Sequence, residues 1–157
     1  MKNEIIVNSG AELEAVIHRL IPISTAMGVR VKSFDGSSLE LTAPLESNIN
    51  HQSSAFGGSL TAISALTGWG LVQLQLGRLG LIGNTVVSHS EATFLKPVRS
   101  ELLCRSRVPD SIDNFEHDLT ALGRADLLLL TEIVTPEGTA MTTSSRFVIH
   151  GDRRDNP

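Results

Sequence analysis

Behind Ser9 and Glu12, which have capping-box spacing, the apolar residues Leu13, Val16, Ile17 and Leu20 recur at helical intervals and predict an amphipathic helix over about 11–20. Pro22 stops it, and one short turn over 23–27 precedes Gly28. Val29 and Val31 alternate with Arg30 and Lys32, Leu39 and Leu41 with Glu40 and Thr42, and Asp35-Gly36 lies between them. That pattern predicts a β-hairpin. After Pro44 a polar loop, Asn48-Ile49-Asn50-His51-Gln52-Ser53-Ser54, leads through Phe56-Gly57-Gly58-Ser59 into a run over about 57–76 that is apolar nearly all round. A helix of that composition is buried.

Beyond Gly80 the period changes to two. A long strand is predicted from Thr85 to Leu95, closed by Lys96-Pro97, and a second from Leu102 to Val108 with Arg105 and Arg107 on one face. The segment 109–117 is polar and reads as a loop; strands over about 124–134 and 139–149 follow, reversed at Thr135-Pro136-Glu137-Gly138. One long buried helix followed by four consecutive strands predicts an α+β fold with an antiparallel sheet curled around that helix. Gly58, Gly68 and Gly70 lower helix propensity and predict close approach by neighbouring backbone or side chains.

Composition narrows the class. With 157 residues, 41% of them hydrophobic, the chain is expected to form a single domain, with 1–9 and 151–157 as flexible ends. A net charge of −4 supplies no basic field for nucleic acid. Cys104 is the only cysteine, which excludes an intrachain disulfide framework, and no run has the length of a membrane span or a secretory leader. A cytoplasmic location is expected, and the five histidines lack metal-ligand spacing, so neither a metal nor a bound cofactor is expected.

Charge also marks the candidate site. Between Glu46 and Glu91 there is no Asp, Glu or Lys, and Arg78 is the one fixed charge. The start of the long helix attracts negative charge through its free amides, yet this stretch offers no carboxylate base. Its polar groups are neutral: Asn48, Asn50, Ser59 and the backbone of Gly57 and Gly58. Each has a structural reading beside the functional one. Asn48 and Asn50 also read as turn formers, Ser59 as a helix N-cap, His51 as a surface histidine, and Phe56 and Trp69 as core. Cys104 reads as a packed thiol. Arg99, Arg105, Arg107 and Arg124 are candidates for a basic rim, with Arg124 the first choice for a phosphate contact.

The blocks Ile21-Pro22-Ile23-Ser24, Met27-Gly28-Val29, Ala43-Pro44-Leu45, Asn48-Ile49-Asn50, Phe56-Gly57-Gly58-Ser59 and Thr67-Gly68-Trp69-Gly70 resemble the hotdog domain of the YiiD C-terminal family, whose single-domain members are the MadB-type proteins. Phe94-Leu95-Lys96-Pro97-Val98 and Gly123-Arg124 fit the same pattern, so the resemblance runs from about 20 to 149. It implies a double-hotdog homodimer, with further pairing of dimers left open, and an active site between subunits near the start of the central helix. It also implies one of two activities on acyl carrier protein or CoA thioesters: thioester hydrolysis, or decarboxylation of malonyl-acyl carrier protein to the acetyl form, feeding initiation of fatty acid synthesis.

In the second, an Asn and a Ser polarise the malonyl group, by motif position Asn50 and Ser59. Read from the residues themselves, Gly57 and Gly58 are expected as backbone donors, and Asn48, His51, Phe56, Trp69 and Arg124 as substrate contacts. Many hotdog thioesterases are similar in placing a carboxylate on or beside the central helix and a His before the Gly-Gly step. Here Phe56 holds that position, and only Ser64, Ala65, Leu66 and Thr67 stand where the helical carboxylate is expected. The expectation is therefore decarboxylation by neutral donors, with hydrolysis through His51, Glu46 or Glu91 as the alternative and a non-catalytic acyl-thioester-binding module as the third reading.

Overall fold

The structure, a computed structural model, describes residues 4–151. Helix α1 spans Gly10–Leu20 and starts as a capped helix should: the Glu12 amide donates to Ser9 Oγ, and the Asn8 amide donates to the Glu12 carboxylate. Leu13 and Ile17 form its buried stripe. The short helix α2, Ile23–Met27, ends at Gly28 in the left-handed conformation.

Strands β1 (Arg30–Phe34) and β2 (Ser38–Ala43) form the expected hairpin. Its turn is organised by Asp35, whose carboxylate accepts from the amides of Ser37 and Ser38 at 2.9 and 2.7 Å while Gly36 takes φ 99°. These backbone donors hold the Asp35 carboxyl below its ordinary range.

The central helix α3 runs Gly57–Leu79, three residues past the expected end, and thirteen of its residues are buried. Four strands follow: β3 (Gly83–Phe94), β4 (Leu102–Arg107), β5 (Arg124–Thr135) and β6 (Gly138–Gly151). The six strands form one antiparallel sheet in the order β1-β2-β4-β5-β6-β3, with α3 on its concave face. This is the α+β hotdog arrangement that the sequence implies.

Two expectations need correction. The segment 109–117 is not an open loop: helical turns run through it and on to Leu122, because Phe115 and Leu119, 3% and 4% exposed, bury themselves at the sheet's end. The N-terminal segment is not free over its described part: Val7 is 1% exposed and packs beside Gly77 of α3, and Gly151 closes β6. The remainder of the expected flexible ends, 1–3 and 152–157, lies outside the described residues.

Glycines in α3 do what the sequence asks of them. A Cβ at Gly68 would stand 2.6 Å from the Phe147 ring, and one at Gly70 about 3.0 Å from Leu13, so sheet and α1 close directly onto the helix backbone. Cys104 lies fully buried beneath the same helix, 3.7 Å from Ser64 Oγ, and burial pushes its thiol up to about 11. At pH 8 the native thiol is therefore both protonated and inaccessible. A disulfide reagent should leave it unmodified over the minutes in which it titrates the same thiol in 6 M guanidinium; rapid native labelling would contradict this burial.

Candidate active site

The loop between β2 and α3 is built by backbone pairing around a buried asparagine. Asn48, 2% exposed, donates its side-chain amide to Met27 O and Pro44 O, both at 2.8 Å. Its own carbonyl accepts from the Phe56 amide at 2.7 Å. One residue thus ties the end of α2, the end of β2 and the start of α3. Buried and engaged in this way, Asn48 is a structural clamp, as its reading as a loop former expects, while its Oδ1 has no partner among the described residues.

Beyond the clamp, Ile49 pairs with Ala55 and the Ala55 amide donates to Val98 O at 2.7 Å, so residues 49–55 form a closed loop pinned to the connection between β3 and β4. Inside it Asn50, half-buried, makes an Asx turn. Its Oδ1 accepts from the amides of Gln52 and Ser54 at 2.8 and 3.2 Å and from Ser54 Oγ at 3.3 Å. The Asn50 amide donates to Ser54 O, and Ser53 takes a left-handed φ of 58° to complete the turn. These contacts use the acceptor end of the Asn50 side chain and leave its NH2 as the free end. Forming the turn is therefore compatible with donating from the same side chain.

The start of α3 is uncapped by any side chain. Phe56, in extended conformation, is the N-cap, which corrects the N-cap reading of Ser59; Ser59 is the third residue of the helix. The first intrahelical bond runs from the Leu60 amide to Phe56 O at 3.1 Å, so the amides of Gly57, Gly58 and Ser59 have no partner along the helix. Gly58 is exposed, and Gly57 and Ser59 are partly exposed. Three free amides and the Ser59 hydroxyl form a neutral donor cluster at the positive end of a 23-residue helix.

Two aromatic rings flank this cluster. A Cβ on Gly58 would approach Phe56 Cζ to 2.9 Å, and one on Gly57 would meet the Phe94 ring at 3.4 Å. Phe56 and Phe94 are 57% and 56% exposed, so the donor cluster lies in an open aromatic slot. Phe94 belongs to the edge strand β3, whose far half is exposed on both faces. Inward-pointing Ser90, Ala92 and Phe94 are left open by α3, which presents exposed Gly58, Thr61 and Ala65.

The other expected residues divide clearly. Trp69 is half-buried against the core, as its core reading holds. His51 is exposed at the loop tip. Glu46 is exposed in the turn before Asn48, and Glu91 lies on the outer face of β3, 3.4 Å from His89. Within one protomer neither carboxylate stands at the helix start.

Arg105 is paired with Glu40 at 2.9 Å, and Arg124 with Asp126 at 3.3 Å. Arg124 opens β5 at the sheet end where α3 finishes, so within one protomer it stands far from Ser59. Asp126 is also bonded to Arg146, whose guanidinium, with that of Arg124, holds its carboxyl below the usual range. No group of three or more His, Cys, Asp or Glu side chains suited to a metal occurs among the described residues. Sequence reasoning missed Phe94 as a wall of the slot, because only the sheet brings it to Gly57.

Comparison with known proteins agrees with this architecture. A protein of unknown function from Chlorobaculum tepidum TLS is 30% identical, with a TM-score of 0.85 over 90% of this chain and 93% of its own. A Shewanella oneidensis protein described as a putative thioesterase is 29% identical, with a TM-score of 0.82 over 88% of this chain and 95% of its own. The Pseudomonas aeruginosa protein PA5026 shares the fold at 16% identity, with a TM-score of 0.80 over 93% and 98% of the two chains. The family model described as "Putative thioesterase (yiiD_Cterm)" matches residues 10–151, and the chain belongs to that YiiD C-terminal hotdog family.

Proposed function

We propose that the protein decarboxylates malonyl-acyl carrier protein to the acetyl form. The observation that carries this reading is the set of neutral donors: free amides of Gly57, Gly58 and Ser59 and the Ser59 hydroxyl at the helix start and, in the loop before it, an Asn50 side chain whose Oδ1 is held by its turn and whose NH2 is not used there, with no carboxylate at the helix start within one protomer. Decarboxylation breaks the bond between the malonyl carboxylate and the α-carbon. Its electron pair passes into the thioester as an enolate, CO2 departs, and solvent protonates the α-carbon. The catalyst must stabilise the growing charge on the thioester oxygen and hold the carboxylate out of the thioester plane, and needs no protein base.

In this reading the Gly57-Gly58-Ser59 donors take the oxyanion and Asn50 orients the carboxylate. Each preorganised oxyanion donor is worth about 3–4 kcal/mol. Neutral donors hold the departing carboxylate without the strong ion pair that would stabilise the ground state equally. The phosphopantetheine arm arrives with the substrate and enters between the subunits of a homodimer joined along β3, whose unpaired edge and exposed Val86, Val87 and Phe94 support that pairing. Arg124 is the proposed phosphate contact. A cytoplasmic site of action fits this chemistry, and no helix among the described residues is long and apolar enough to cross a membrane.

The family description favours a second reading, hydrolysis of an acyl thioester, with His51, Glu46 or Glu91 activating water. Incubation of the purified protein with malonyl-carrier protein separates the two. Decarboxylation yields the acetyl-carrier protein, hydrolysis yields free malonate, and tight binding without either product identifies a non-catalytic acyl-binding module.

A further inference from the structure

The two edges of the sheet are treated differently. At β1, helix α1 covers the edge: the Glu14 carboxylate accepts from the Val31 amide at 2.8 Å, and His18 Nε2 is bonded to Val29 O at 2.8 Å. At β3 no described residue covers the edge. Every residue from Val86 to Phe94 is exposed, whereas Thr85, just before this run, is 7% exposed. A bare edge of that length is a pairing surface.

Its side chains limit how a second copy can pair with it. Val87 stands opposite Phe147, Ser90 opposite Ser145, and Ser88 is the extra residue of a bulge between them. Val87, Ser90, Ala92 and Phe94 therefore face the concave side, and Val86, His89, Glu91 and Thr93 face outward. Two antiparallel copies related by a two-fold axis keep inward residues opposite inward residues. A centre at Glu91 sets two carboxylates face to face, which is destabilising. A centre at His89 sets Glu91 against Val86, and one at Ala92 leaves Val86 and Val87 beyond the end of the partner strand. A centre at Ser90 sets Glu91 opposite the partner's His89, and does so twice; within one chain these two side chains already lie 3.4 Å apart. With Ser88 bulged out, the pairing continues as Ala92 with Val87 and Thr93 with Val86, so the exposed run covers itself.

We infer that two copies pair along β3 about Ser90, and that Val87 of each copy closes the aromatic slot of the other. The inference rests on the β3 pairing proposed above and adds its register and its contribution to the site. Ala92 lies two residues from Phe94 on the same face, so the partner's Val87, opposite Ala92, stands diagonally across from Phe94 at about 7–8 Å, within reach of an aromatic ring. It covers the side of the slot that α3 leaves open at Gly58, Thr61 and Ala65. This gives a place to a valine that is 46% exposed in the single chain. In the same register His89 and Glu91 of both copies stay on the outer face. The partner thus brings an apolar wall and no base, and the excluded water strengthens the neutral donors at Gly57, Gly58 and Ser59.

Cysteine cross-linking tests the register without reference to any reaction. Ser90→Cys alone should form a disulfide-linked dimer under mild oxidation, because directly opposed residues have Cα atoms about 4.5–5.5 Å apart, within disulfide reach. Glu91→Cys should not. Val87→Cys and Ala92→Cys should each stay uncross-linked alone and cross-link when the two chains are co-expressed. Cys104 is fully buried and does not compete. Cross-linking through Glu91→Cys instead of Ser90→Cys, or no link between Val87→Cys and Ala92→Cys chains in a protein that sediments as a dimer, would overturn the inference. A monomer in sedimentation overturns the β3 pairing and the inference with it. For the site, Val87→Asp and Asn50→Ala should each lose about 10-fold or more in turnover. Co-expressed, they should recover about a quarter of wild-type turnover, since half of the dimers are mixed and each mixed dimer holds one site with Asn50 and the partner's Val87 intact. Wild-type turnover in Val87→Asp would remove Val87 from the slot. The expected cross-links without acetyl product from the wild type would overturn decarboxylation and leave the pairing standing.

Discussion

Asn50→Asp should lower the rate of acetyl product formation from malonyl-carrier protein by at least 10²–10³-fold, the scale of losing one oriented donor, while leaving the melting temperature within about 2 °C. The two outcomes separate because the two ends of the side chain do different things. Oδ1 accepts three loop hydrogen bonds, from the amides of Gln52 and Ser54 and from Ser54 Oγ, and an aspartate carboxylate keeps that acceptor. The NH2, free to donate, becomes a second anionic oxygen that repels the malonyl carboxylate. Asn50→Ala loses both functions, so it should match the aspartate variant in lost turnover and also destabilise the loop by about 1–2 kcal/mol. Product formation is read by mass spectrometry of the carrier protein, and stability by thermal unfolding. An Asn50→Asp variant with wild-type turnover would remove Asn50 from the reaction.

Gly77→Ala should be among the most destabilising single-methyl additions in the chain, at about 2–4 kcal/mol, the combined scale of overpacking and of releasing a buried valine. A Cβ at Gly77 would lie inside the contact distance of the Val7 carbonyl oxygen and 2.8 Å from its carbon. Those are backbone atoms and cannot rotate aside. The N-terminal segment must lift off, exposing Val7, which is 1% exposed in the native protein. Gly80→Ala provides the control. Gly80 has a left-handed φ of 64°, but a Cβ there would meet nothing within 4 Å, so only local strain of about 1–2 kcal/mol applies. Urea unfolding midpoints rank the two; equal losses would show that the segment before α1 contributes little to stability.

Gly77 also illustrates what sequence reasoning could not reach. A glycine near the end of a long apolar helix is visible in the sequence, but its cause is a contact with Val7, far away in the chain. The same holds for Phe94, which ends an alternating strand and acquires its meaning only when β3 takes the sheet edge beside Gly57. For the segment 109–117, local polarity suggested a loop, and burial of Phe115, with Leu119 just beyond it, outweighed that. The two asparagines make the sharpest case. Two residues apart in one polar loop, they are indistinguishable by propensity, yet Asn48 points inward onto Met27 and Pro44 and Asn50 is held by its own turn.

What the sequence by itself determined was local and periodic: the order of helix, hairpin, long helix and four strands, the Asp35-Gly36 turn, the burial of α3, and the absence of acidic residues and lysine from the stretch between Glu46 and Glu91. Such features follow from side-chain spacing of 3.6 or 2 residues and from turn chemistry that neighbouring residues settle among themselves. Only the tertiary structure decided which strand lies at the edge, which backbone amides remain free at the helix start, and which residues of the edge strand face inward. Those depend on strand register between segments distant in the chain, where one residue of slip exchanges the two faces of the sheet.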